Sequence, residues 1–117
     1  MLQNAYAQDL PIKLVENSKK TVEVGKQIQI AADLANNQDI KQSFAYIVQI
    51  QTDDGVTVSL AWITGSLEPA QSFTPALSWI PSKEGRYEAT IFVWENISNP
   101  SALSPTLSLS IDVGQFT

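Results

Sequence analysis

Apolar and polar residues alternate with a period of two along most of this chain, and the three-to-four-residue spacing of an amphipathic helix is nearly absent. Ile28, Ile30, Ala32 and Leu34 interleave with Gln27, Gln29, Ala31 and Asp33, the pattern of a strand with one face in a core. Phe44, Tyr46, Val48 and Ile50 repeat it, and Asp53-Asp54-Gly55 follows at once. An Asp-Gly pair between alternating runs predicts a hairpin, because glycine accepts the positive φ that a tight turn requires. The return strand continues as Val56, Val58, Leu60 and Trp62, so Trp62 is expected on the core face. Further runs are residues 10–15 with Pro11, Thr21 to Val24 ending at Gly25-Lys26, and Phe73, Leu77 and Trp79 around Pro75. Two more are Tyr87, Ala89, Ile91 and Val93, then Leu107, Leu109, Ile111 and Val113. Residues 36–39, 65–69 and 81–85 read as turns, and 96–105, with two prolines, as a surface loop. Seven or eight strands with no helix to supply parallel crossovers imply two antiparallel sheets packed face to face. Pro11, Pro75 and Pro105 suit edges rather than central strands. The expected fold class is an all-β, two-sheet antiparallel sandwich.

With 117 residues there is enough chain for one core without metal or disulfide staples. No repeat or composition shift divides it, so residues 10–117 are expected to form a single domain behind a leader at 1–9. Within that leader, Ala5-Tyr6-Ala7 has the small-x-small spacing cut by signal peptidase, which would leave Gln8 as a mature N-terminus. Residues 1–9 therefore read as a signal-peptide remnant or a flexible leader, and the protein as secreted or displayed on the cell surface. No run approaches the length of a membrane span, so the domain is not expected to insert in one.

Composition then narrows the chemistry. Seven Lys+Arg against twelve Asp+Glu give a net charge of −5, and Arg86 is the sole arginine. A phosphate backbone needs clustered cations, so a nucleic-acid partner is disfavoured. Cysteine and histidine are both absent, which removes thiol nucleophiles, Ser-His-Asp triads, haem ligation and ordinary zinc sites. Asp53 and Asp54 lack the further oxygen donors of a calcium loop and fit a turn better. Glu84, Glu88 and Glu95 are spread along one strand and its approach instead of converging across a cleft. No enzyme activity, cofactor or metal is expected.

What remains is surface recognition. If Tyr87, Ala89, Ile91 and Val93 face the core, Phe92 and Trp94 project from the opposite face, where aromatics can stack on a sugar or bury against a protein. Alternatively the 96–105 loop or the N-terminal segment folds over them, or the alternation inverts at a bulge. Ile47 shares its strand face with Gln49 and Gln51, an apolar and amide mixture suited to packing on a neighbour. Asn96-Ile97-Ser98 is a complete N-glycosylation sequon. The alternating Leu10, Ile12 and Leu14 behind a leader could form the domain's own first strand or be donated to a neighbouring subunit in a filament. The expected partner is another protein or a cell-envelope component, including a glycan.

Glu84-Gly85-Arg86-Tyr87-Glu88-Ala89 resembles the tyrosine corner that opens strand F of immunoglobulin-like and fibronectin type III-like sandwiches. Trp79-Ile80-Pro81, just upstream, resembles the end of strand E in the CARDB-like adhesion modules of bacterial and archaeal secreted proteins. The resemblance covers roughly residues 20–113, with Ala89 standing where antibody domains carry a disulfide cysteine. It implies structural roles for Gly85 and Tyr87 and a non-catalytic extracellular spacer or adhesion unit. The alternatives are a carbohydrate-binding module using Phe92 and Trp94, or a filament-forming envelope subunit.

Overall fold

A computed structural model describes residues 11–16 and 20–115, so the leader with its Ala5-Tyr6-Ala7 spacing lies outside the described residues. The strand segments are β1 (Ile12–Glu16), β2 (Thr21–Glu23), β3 (Ile28–Asn36), β4 (Gln42–Thr52) and β5 (Thr57–Leu67). They continue as β6 (Ser72–Phe73), β7 (Ala76–Trp79), β8 (Gly85–Asn96), β9 (Asn99–Ala102) and β10 (Leu107–Gly114). In the smaller sheet β3 is flanked by β1 on one side and by β6 and β7 on the other. The larger sheet runs β2-β10-β8-β4-β5, with β9 beside the end of β8. Every pairing is antiparallel except β2 with β10, which is parallel. This is the expected immunoglobulin-like sandwich. The segments exceed seven or eight because some strands are interrupted: Pro75 lies between β6 and β7, and residues 103–106 separate β9 from β10.

Alternation places the core as expected for most strands. Ile30 and Leu34 from β3, Tyr46, Val48 and Ile50 from β4, Ala89, Ile91 and Val93 from β8, and Leu109, Ile111 and Val113 from β10 fill the space between the sheets. Each large aliphatic side chain removed from water contributes roughly 1.5–3 kcal/mol, which makes this layer the main source of cohesion. Tyr46 spans it: its ring is fully buried and its Oη donates to the Ile30 carbonyl at 3.0 Å, tying β4 to the facing sheet.

One side of the sandwich is closed by the chain itself. The Leu103 amide donates to the Val93 carbonyl at 2.8 Å, and the Leu103 carbonyl accepts from the Ile12 amide at 3.0 Å, joining β1 to the larger sheet. Leu103 and Ser104 are therefore buried, and residues 96–105 form a β9 hairpin with an inward anchor instead of the expected surface loop. The expected turn at 65–69 also moves. β5 continues through Leu67, and the reversal is Glu68-Pro69-Ala70-Gln71, closed by Gln71 N to Glu68 O at 3.0 Å. Pro69 followed by Ala70 at φ +62° is the arrangement of a type II turn.

The largest departure is in β5. Leu60 and Trp62 were expected inside, yet they are 57% and 50% exposed. The register shifts between Ile50 and Gln51, so that Ile50 faces Ser59 while Gln51 faces Thr57, leaving Val58 as an extra residue. A bulge of this kind advances the strand by one residue and exchanges its faces. Beyond it Ser59, Ala61 and Ile63 point inward, and Leu60 and Trp62 point outward opposite Gln49 and Ile47. Val56 and Val58 line an open cleft with Trp79, Ile80 and Tyr87, where the edge of the larger sheet overhangs.

Candidate binding face

The register of three strands brings the candidate residues together. Ile47 stands opposite Trp62 on one side and Phe92 on the other, so Trp62, Ile47 and Phe92 form one transverse row on the outer face of the larger sheet. Directly opposed side chains in antiparallel sheets lie about 4.5–5.5 Å apart at Cβ, close enough for these rings to cover Ile47. Ile47 is accordingly buried although it points outward. The next row is Thr64, Ala45, Trp94 and Ala102. Phe92 and Trp94 touch, with ring centroids 6.0 Å apart and planes inclined at 60°. Both are half-buried, and β9 places only the small Ala102 beside Trp94.

The row on the other side of Trp62 is Leu60, Gln49 and Thr90. Gln49 Nε2 donates to Thr57 Oγ1 at 3.1 Å, and Thr90 and Ser108 share a 3.4 Å hydroxyl contact. Formal charge flanks this strip at Glu88 and the exposed Arg86–Asp112 ion pair, Nε to Oδ1 at 3.0 Å, and just past the far end of β4 and β5 at the exposed Lys41–Glu68 pair, 3.7 Å. The centre is thus an apolar, aromatic strip bordered by neutral amides and hydroxyls, an arrangement that excludes water and offers stacking surface but carries no acid, base or nucleophile. Sequence periodicity found Phe92 and Trp94. It missed Leu60 and Trp62, whose signal was hidden by the bulge.

The other singled-out positions are structural or separate. Tyr87 Oη donates to the Lys83 carbonyl at 2.9 Å, and its ring meets Trp79 edge-on at 4.9 Å. Gly85 adopts φ +149°, a region that penalises a Cβ, at the point where the chain turns into β8. Together these form the tyrosine corner. Asn96 is exposed at the β8–β9 turn, its Oδ1 accepting from both the amide and the hydroxyl of Ser98 at 2.9 Å. At the β4–β5 tip, Thr52 Oγ1 donates to Asp54 Oδ1 at 2.5 Å, and this bond holds the Asp54 carboxyl below the usual carboxylate range. Among the described residues no three His, Cys, Asp or Glu side chains converge as a metal site. β1 lies on the chain's own β3, with Ile12 opposite Asn36 and Glu16 opposite Ala32.

No protein-family profile matches the sequence, and no curated protein is similar to it at a significant level. Solved structures are. A crystal structure of the CARDB domain of the PF1109 protein from Pyrococcus furiosus, in complex with di-metal ions, superposes with a TM-score of 0.70 at 19% identity, covering 90% of this chain and 94% of that one. A β-glucosidase from Listeria innocua with isofagomine contains a similar unit (TM-score 0.68, 13% identity, 91% of this chain), which is 16% of that enzyme. So does the alkylpurine DNA glycosylase AlkC of Pseudomonas fluorescens, bound to DNA with an abasic site analogue (TM-score 0.65, 12% identity), where it spans 31% of the chain. A similar unit thus occurs as a domain of PF1109 and inside larger enzymes of unrelated chemistry, and what this chain shares with all three is the fold. By topology, tyrosine corner and superposition, this chain is an immunoglobulin-like sandwich of the kind found in CARDB domains.

Proposed function

We propose that this protein is a non-catalytic module of the cell surface or extracellular space, acting as an adhesion unit through the outer face of its larger sheet. The carrying observation is the uncharged row Trp62–Ile47–Phe92 with Trp94 beside it. A half-exposed tryptophan in a contiguous apolar strip is what a binding surface presents, since Trp and Tyr anchors dominate interface energetics. The Ala5-Tyr6-Ala7 spacing supports export, and the exposed Asn96 sequon is reachable for glycosylation in a host that performs it.

The test is retention of the purified protein on an immobilised cell-envelope fraction, with Trp62→Ala and Trp94→Ala in parallel. Retention reduced about tenfold or more by Trp62→Ala, the loss of one interface anchor, is expected. Equal retention of all three proteins, or none, defeats the proposal. A carbohydrate partner is the second reading, favoured by the neutral amide and hydroxyl border around Trp62. Periodate oxidation of the envelope sugars abolishes retention in that case, whereas proteinase treatment abolishes it for a protein partner.

A further inference from the structure

The free edge of β5 differs from the other sheet edges among the described residues. β1 carries Lys13 behind Pro11, β2 is three residues long and includes Glu23, and the β6–β7 edge is broken at Pro75. Short length, charge and proline are the devices that keep sheet edges from pairing with other chains. β5 has none of these three, and its one bulge, at Val58, lies near its start and leaves Ser59 to Leu67 in regular register. It is eleven residues long, Thr57–Leu67, and contains neither a charged residue nor a proline. Leu60 and Trp62 stand on it more than half and half exposed, and among the described residues no strand lies beyond it in the larger sheet.

We infer that β5 is a self-association edge, pairing antiparallel with β5 of a second copy to join two larger sheets into one. The argument for a second copy is electrostatic and steric. The chain carries a net charge of −5, so two copies repel overall, and like charges opposed across a ladder are destabilising. Within β5 no charge is set against another, and Glu68 just beyond it, which approaches Asp54 of the second copy, is already paired with Lys41 at 3.7 Å. A register centred on Ala61 matches the faces of Ser59 to Ile63, beyond the bulge, and sets Leu60 of one copy opposite Trp62 of the other, twice. Leu60 of the second copy continues the Trp62–Ile47–Phe92 row and its Trp62 continues the Leu60–Gln49–Thr90 row, while Ala61 meets Ala61 on the inner face without crowding. Trp62 offers on the order of 100 Å² of ring surface, half of what an aromatic side chain buries. With Leu60 and the strand backbone this stays below the roughly 800 Å² per partner of a standard interface, so the association is concentration-dependent and reversible.

The test combines sedimentation velocity across a hundredfold range of concentration with amide hydrogen exchange at both ends of it. The expected result is a monomer–dimer shift accompanied by slowed exchange at every second amide of residues 59–63, those that point away from β4. Face-to-face docking leaves these amides exchanging, so the alternation identifies the edge. Leu60→Lys with Trp62→Lys, both solvent-facing and therefore compatible with folding, is expected to weaken the dimer at least about tenfold while far-ultraviolet dichroism is unchanged. A monomer at all concentrations, or a dimer whose β5 amides exchange as fast as in dilute solution, overturns the inference. Envelope retention and self-association are separate readouts, so either can fail without the other.

Discussion

Replacing Tyr46 with phenylalanine isolates one inter-sheet hydrogen bond and one buried titratable group. The hydroxyl donates to the Ile30 carbonyl at 3.0 Å from a side chain with no exposed surface. At neutral pH its loss costs about 1 kcal/mol, the net value of a typical intramolecular hydrogen bond. Burial pushes the Tyr46 hydroxyl pKa far above that of a free tyrosine, because the phenolate would be stranded away from water. The sign follows from linkage. Below about pH 10 both folded and unfolded chains hold the proton and the contribution is complete. Above it the unfolded chain ionises while the folded one does not, so wild-type stability falls by about 1.4 kcal/mol per pH unit from this group alone. A phenylalanine at this position has no proton to lose and escapes that penalty. Urea unfolding followed by tryptophan fluorescence should therefore find Tyr46→Phe about 1 kcal/mol less stable at pH 8 and equal to or slightly more stable than wild type at pH 11. Other tyrosines and lysines cancel in the comparison. A stability difference that is the same at both pH values would refute the reasoning.

Three further outcomes test the local geometry. Asn36, only 2% exposed, donates to the carbonyls of Ile40, Leu67 and Glu68 at 2.8–3.2 Å and accepts from Gln38 N, so Asn36→Ala should cost roughly 2–4 kcal/mol by chemical denaturation. Ala70 holds φ +62° in the turn after β5, where glycine is at ease; Ala70→Gly should raise stability by up to about 1 kcal/mol, and a lowered midpoint in urea would contradict this. Asp54 titrates below its ordinary range because of Thr52, so its contribution is present above the unfolded value near 3.9 and disappears as acid carries the pH through the lowered folded value. Thr52→Val should move the Asp54 carbon resonance titration back upward by nuclear magnetic resonance.

Fold class was legible because it depends on a pattern repeated over many residues. Gly85 and Tyr87 were legible for a different reason: the corner needs a glycine and a hydroxyl at fixed spacing, and few other structures do. The failures cluster where one residue changes the phase of everything after it. Val56, Val58, Leu60 and Trp62 alternate perfectly, but the bulge at Val58 divides them between an open cleft and the outer face. An edge strand also has less opposing sheet to bury it, so hydrophobicity on β5 does not report the core. Leu103 was hidden by its neighbours, since Pro100, Ser101, Ser104 and Pro105 give the segment the composition of a loop while one leucine anchors it. Asn36 reads as a turn residue and serves as a buried clasp, because an amide can satisfy several carbonyls at once. The aromatic pair Phe92 and Trp94 was visible from period two; its enlargement by Trp62 required knowing which strands are neighbours.

The parallel pairing of β2 with β10 bears on mechanics. Thr21 lies beside Asp112 and Glu23 beside Gly114, with both segments running the same way. Tension between tethers attached before β2 and after β10 drags these segments past each other in opposite directions, loading their bonds together in shear instead of peeling them one at a time. A module anchored at one end and gripped at the other would meet force along its most resistant axis.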